Sequence, residues 1–155
     1  MTSTVTAATM TVKITETIKL NGRDQGAETT LTYSSVNEVM KRIVSCVNGN
    51  TTTLLTFNAD VHGAAGALDV NNVKYIRVTN LDDTEAVEVA MVASATSFMV
   101  ALRAGESYIL GCPDDLMLIE ADASPSFGTM LDVVTIQVKP TGSAVVDIEV
   151  FVASI

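Results

Sequence analysis

Val73-Lys74-Tyr75-Ile76-Arg77-Val78-Thr79 is followed by the turn Asn80-Leu81-Asp82-Asp83-Thr84, and then by Ala86-Val87-Glu88-Val89-Ala90-Met91-Val92. After a short gap come Phe98-Met99-Val100-Ala101-Leu102, the turn Arg103-Ala104-Gly105-Glu106, and Ser107-Tyr108-Ile109-Leu110. The apolar segments alternate and are rich in β-branched residues, and the segments between them are turn chemistry. This is the pattern of an antiparallel meander, and a meander with one apolar face must pack on a second sheet.

On the N-terminal side of this run, even positions are apolar at Met10, Val12, Ile14, Ile18 and Leu20. Glu16 interrupts that face and marks a bulge or an exposed edge. Asn21-Gly22 to Glu28 reads as a loop, and Thr29 to Tyr33 as the returning strand. Residues 1–8 are small and uncharged and read as a flexible arm, with residues 9–155 as one domain. Ser35 to Val47 fits two patterns. Val36, Val39, Met40, Ile43, Val44 and Val47 fall at helical spacing, and Ser35 with Glu38 makes a capping box. Ile43 to Val47 is equally strand-like, so the expectation is a short helical turn near Val36 to Lys41 and then a strand.

Asn48-Gly49-Asn50 is a turn, Thr52 to Phe57 a strand, and Ala59 to Asn72 a loop. On the C-terminal side, Cys112-Pro113-Asp114-Asp115 turns the chain into Leu116 to Ala121. Ser124-Pro125-Ser126-Phe127-Gly128 is another loop. Leu131 to Val138 is a strand ended by Pro140, and Ala144 to Val152 closes the series. About ten strands joined by short loops, with at most one short helix and no βαβ rhythm, indicate an all-β chain. The natural architecture is an antiparallel two-sheet β-sandwich or jelly roll. The expected core comprises Val12, Ile14, Ile76, Val78, Val87, Val89, Val100, Leu102, Ile109, Val146, Ile148 and Val150.

Composition bounds the function. The chain has 155 residues, enough for one domain with a real core. It is 48% hydrophobic and 17% charged, and the charged share lies below the ~25% usual for soluble domains. Either an assembly hides part of the surface, or Thr and Ser replace charges on outer faces. Net charge is -9, and among the nine basic residues only Lys41-Arg42 are adjacent. Nucleic acid and anionic membrane surfaces are therefore poor partners. The N-terminus lacks the basic and apolar regions of a signal peptide, and no apolar run approaches the ~20 residues of a membrane span. Two cysteines, Cys46 and Cys112, do not make a disulfide framework and read as free thiols formed in a reducing compartment.

Residues that could carry chemistry are few. His62, the single histidine, lies in the glycine-flanked loop Asp60-Val61-His62-Gly63 and reads as solvated surface. Asp82-Asp83 with Glu85, and Asp114-Asp115, are acidic turns; calcium favours such clusters, yet Asp is also an ordinary turn former, and both readings stand. Gly105-Glu106-Ser107 is not a nucleophile elbow, since it lacks a second glycine and links two strands. No dinucleotide or mononucleotide glycine loop is present. Tryptophan is absent, so Tyr33, Tyr75 and Tyr108 are the available platforms for a carbohydrate or other ligand. No catalytic, cofactor-binding or metal-binding residue is assigned, no cofactor is expected, and the chain is not expected to be an enzyme.

Several stretches share a pattern with one class of proteins: Ile18-Lys19-Leu20-Asn21-Gly22, Arg42-Ile43-Val44-Ser45-Cys46-Val47, and Thr53-Leu54-Leu55-Thr56-Phe57. The clearest are Val73 to Asp83 and Leu102-Arg103-Ala104-Gly105-Glu106-Ser107-Tyr108-Ile109-Leu110. Over residues 12–115 the chain resembles small β-sandwich virion proteins of tailed bacteriophages, marine ones especially. The resemblance implies a capsid decoration (cement) protein that stabilises the head shell. It would be synthesised in the host cytoplasm and located in the virion. Its partners would be the major capsid protein and itself, as a dimer or trimer. The near alternative is a tail or baseplate subunit, and the second alternative a jelly-roll carbohydrate- or ligand-binding module. The resemblance brings no catalytic residues with it.

Overall fold

The computed structural model describes residues 4–60, 66–118, 124 and 127–155. Among them the chain is all-β, with thirteen strands and no helix. It divides into two compact units, Met1–Glu38 with Ile155, and Val39–Ser154. The division falls inside the stretch expected to form one domain.

The first unit is a two-stranded ribbon. β1 (Ala8–Thr15) pairs antiparallel with β4 (Glu28–Val36). Between them β2 (Lys19–Leu20) and β3 (Arg23–Asp24) form a minimal hairpin. Asn21 and Gly22 both have positive φ, 50° and 75°, which is the turn whose twist matches two paired strands. Gly26 is required for a different reason: a Cβ there would lie 2.1 Å from the Glu16 carbonyl oxygen. Glu16 does not bulge the ribbon. Its N–H donates to Ala27 O at 2.8 Å, and the register shift lies between Ala8 and Met10. Of the expected arm, Met1 to Ser3 lie outside the described residues, Thr4 to Ala7 have no regular structure, and Ala8 already belongs to β1.

The second unit has nine strands: β5 (Glu38–Cys46), β6 (Thr52–Asn58), β7 (Leu68–Asp69), β8 (Val73–Asn80), β9 (Val87–Val92), β10 (Ser97–Leu102), β11 (Ser107–Leu110), β12 (Thr135–Pro140) and β13 (Val146–Ser154). One sheet runs β10-β9-β12-β6, with β7 added parallel to β6, and the other runs β11-β8-β13-β5. Setting β7 aside, eight strands pair first with last, second with seventh, third with sixth and fourth with fifth: β5 with β13, β6 with β12, β8 with β11, β9 with β10. Two further pairings, β13 with β8 and β12 with β9, roll that ribbon into two sheets. This is jelly-roll connectivity.

The two sheets share one core. Leu54, Val87, Val89, Met91, Ile136 and Val138 come from one sheet, and Ile76, Val78, Val146, Ile148, Val150 and Val152 from the other. β13 shows the cause most simply: Val146, Ile148, Val150 and Val152 are buried while Asp147 is exposed, the two-residue period of a sheet with one dry face.

Several expectations fail. The helical turn near Val36 to Lys41 is absent; β4 runs to Val36 and β5 begins at Glu38. A helix of about six residues is not stable alone, whereas both strands find ladders, β4 with β1 and β5 beside β13. Ile109 is 39% exposed rather than core. Cross-strand partners share a face, and Ile109 sits opposite the outward Arg77, so Tyr108 and Leu110 turn inward opposite Val78 and Ile76. Ile14 is 41% exposed and Val12 half-buried, because both lie on the two-stranded ribbon. Val100 is half-buried and packs on the core. The strand expected at Leu116 to Ala121 is described only to Leu118, where Met117 bridges Leu131; Ile119, Glu120 and Ala121 lie outside the described residues. The strand expected from Leu131 begins at Thr135.

Candidate functional site

The loops bring three carboxylates together at one end of the jelly roll. Asp114 and Asp115 follow β11, and Asp132 precedes β12. The Met117–Leu131 bridge, with Val133 N donating to Pro113 O at 2.9 Å, zips the two segments side by side. Carboxylate oxygens of the three residues lie within 4.8 Å of one another. Asp115 has φ of 49°, and its N–H donates to Asp132 Oδ1 at 3.0 Å. A hydrogen bond to Asp132, then burial and the neighbouring carboxylates, raise the Asp114 pKa above its ordinary value. Proton uptake at Asp114 is therefore one way this cluster relieves its repulsion. Three carboxylates supply only part of the about six to eight oxygens calcium takes. Asp132 also lines a cleft of about 360 Å³ with Phe57, Asn58, Ala59, Val70, Val133 and Val134. The sequence singles out Asp114-Asp115 but not Asp132, which is 17 residues from Asp115 and joins it only through the bridge.

The other acidic turn is committed to its own backbone. Asp82 Oδ1 accepts from Thr84 N at 2.8 Å, Glu85 N at 2.7 Å and Thr84 Oγ1 at 3.1 Å. Those donors, the Glu85 N–H foremost, hold the Asp82 carboxyl below its ordinary pKa. This is an Asx turn, not a cation cradle. Asp83 and Glu85 do not join it in a group of three ligands.

The remaining candidates are dispersed. His62 lies outside the described residues. Cys46 and Cys112 are both free. Cys46 is buried on the core side of β5, and burial pushes its thiol up from the ordinary value, which makes it a poor nucleophile. Tyr75 is buried edge-on to Phe151, at 6.0 Å between ring centroids. Tyr108 packs against the core, and Tyr33 belongs to the ribbon.

The outer face of the β11-β8-β13-β5 sheet carries a charged group the sequence did not announce. Glu149 accepts from Arg77, its neighbour on β8, and from Lys41 of β5 at 2.9 Å. Arg77 also lies 6.0 Å from the centroid of Phe151. The Lys41 hydrogen bond comes first among the causes that hold Glu149 below the ordinary carboxylate pKa. Two cations share one carboxylate, and the group pins three adjacent strands.

The ribbon of the first unit is amphipathic. Met10 faces Tyr33, Val12 faces Leu31 and Ile14 faces Thr29 on one side; Thr11 with Thr32, Lys13 with Thr30 and Thr15 with Glu28 lie on the other. On the apolar side Ile14 and Leu31 remain exposed. No protein-family model and no curated protein matches the chain.

Proposed function

We propose that this protein is a structural subunit of a bacteriophage particle, acting as a capsid decoration protein on the head shell. Jelly rolls serve shells, lectins and other binders alike, so the fold alone does not choose among them. The observation that carries the reading is the ribbon: a two-stranded element with one apolar side whose Ile14 and Leu31 are left open. Such an element is an adhesive surface for a protein partner. Asp82, Glu149 and Asn80 suit the same reading, since they are occupied in holding turns and strands. Tyr75 is buried and Tyr108 packs on the core, so neither is laid open as a stacking platform for a sugar. On a shell, many modest contacts per particle sum to tight retention.

The test is co-sedimentation of the purified chain with the head shells and, separately, the tails of the phage that encodes it. Binding to shells supports the proposal. Binding to tails alone moves the protein to the tail, and binding to neither overturns the reading. Ile14→Lys with Leu31→Lys should weaken shell binding about tenfold or more, the equivalent of ~1.4 kcal/mol or above.

A further inference from the structure

Among the described residues the jelly roll ends in four sheet edges, and three of them are protected. An open edge offers unpaired N–H and C=O groups to any strand that reaches it, and natural proteins blunt edges by shortness, charge, proline or bulges. β7 has two residues and contains Asp69. β11 has four residues, and Pro113 follows soon after. β5 is long but contains Glu38, Lys41 and Arg42, with Lys41 held by Glu149 and Arg42 by the Leu54 carbonyl.

β10 is different. Ser97-Phe98-Met99-Val100-Ala101-Leu102 has six residues with no charge and no proline. Its register with β9 runs without a shift from Ser97–Val92 to Leu102–Val87, so it is not bulged. Phe98, Val100 and Leu102 share a face with Met91, Val89 and Val87 of the core, while Ser97, Met99 and Ala101 face outward. Met99 is 66% exposed.

We infer that β10 is a self-association edge: it pairs antiparallel with β10 of a second copy, joining two β10-β9-β12-β6 sheets across a two-fold axis. Charge selects the occupant. With net charge -9, two copies repel wherever acidic surfaces meet, but β10 against β10 brings no charged strand residues together. An antiparallel pair of identical strands is self-complementary, as a two-fold interface requires, and main-chain hydrogen bonds supply the affinity. Arg103, just past the strand, is held to its own turn by Glu106 at 3.7 Å. The inference concerns the chain in solution and stands independently of the head-shell reading.

The experiment measures mass by sedimentation from roughly 1 to 100 µM, the range of modest affinity. It uses the wild type and two double variants, Met99→Lys with Ala101→Lys and Met99→Glu with Ala101→Glu. Wild type should dimerise, and each variant alone should stay monomeric with an unchanged melting temperature. An equimolar mixture of the two should recover the dimer through opposite charges. In the wild type, amide exchange along β10 should slow as concentration rises, a readout that needs no variant to fold. A wild type monomeric throughout the range overturns the inference. So does an oligomer that both variants leave intact, or β10 amides whose exchange ignores concentration.

Discussion

Asn80 is a fully buried polar side chain whose hydrogen bonds each serve a structural task. Its Nδ2 donates to Glu85 O at 2.8 Å and Leu102 O at 3.2 Å, and its Oδ1 accepts from Asp82 N at 3.0 Å. Its backbone N–H donates to Glu106 O at 2.9 Å. One side chain thus ties the end of β8 to the following turn and to the end of β10. Asn80→Ala strips buried partners of their bonds and should cost about 2–4 kcal/mol in urea unfolding, since each orphaned buried group costs about 1–3 kcal/mol. Two carboxylates should give opposite pH responses. Glu149 has a lowered pKa, so its contribution is present above the ordinary carboxylate range and is lost as pH falls through its folded value. Glu149→Gln should therefore lower stability at neutral pH by about 0.5–1 kcal/mol, the size of a screened pair, and the difference should vanish in strong acid. Asp114 has a raised pKa, so the folded state is favoured at low pH and loses that advantage as pH rises through the folded value. Asp114→Asn should raise the melting temperature at neutral pH and leave it unchanged in acid. Melts at several pH values separate the two signs.

The strands show where alternation decides and where it does not. Ile148 is fully buried on β13, while Ile109 is open on β11. Ile148→Ala should cost about 2–5 kcal/mol by leaving a cavity, and Ile109→Ala about 0.5 kcal/mol or less, as for most surface positions; paired denaturation curves check both. The buried rows of β9 and β13 were legible because Val87-Val89-Met91 and Val146-Ile148-Val150 alternate without a break. β11 was not, because Tyr108, Ile109 and Leu110 are all apolar, and the choice of face belongs to its register with β8. β8 itself buries Val73 and Tyr75, then Ile76 and Val78, a change of phase that no two-residue period anticipates. Asn21-Gly22 to Glu28 reads as a loop in the sequence, and the β2–β3 hairpin within it goes unseen because its two strands are too short to show a pattern of their own. At the acidic cluster the sequence shows neighbours along the chain but not Asp132, whose approach depends on a bridge between segments outside the named strands.

At the scale of the molecule, the two units differ in how they are held. The Val39–Ser154 unit has a two-sheet core, while Met1–Glu38 is organised around a single pair of long strands. A two-stranded sheet is marginal on its own in water. Amides of β1 and β4 should therefore exchange earlier than those of β8, β9, β12 and β13 when followed by mass spectrometry. Equal protection would make ribbon and jelly roll one cooperative structure. A partner that covers the apolar side of the ribbon should slow exchange there first.

The nesting of the strands also dictates an order of events in time. β5 joins its sheet through β13, and the contact between Ser45 and Asp147 spans 102 residues. β8 likewise lies between β11 and β13 and cannot complete its pairing until β13 has been synthesised. During translation the earlier strands leave the ribosome as apolar segments without their central neighbour. Pairing so distant along the chain makes folding slow, and the waiting strands are exposed to association with other nascent chains. Cooler expression or added chaperone should raise the soluble yield, and refolding should proceed faster in dilute than in concentrated solution.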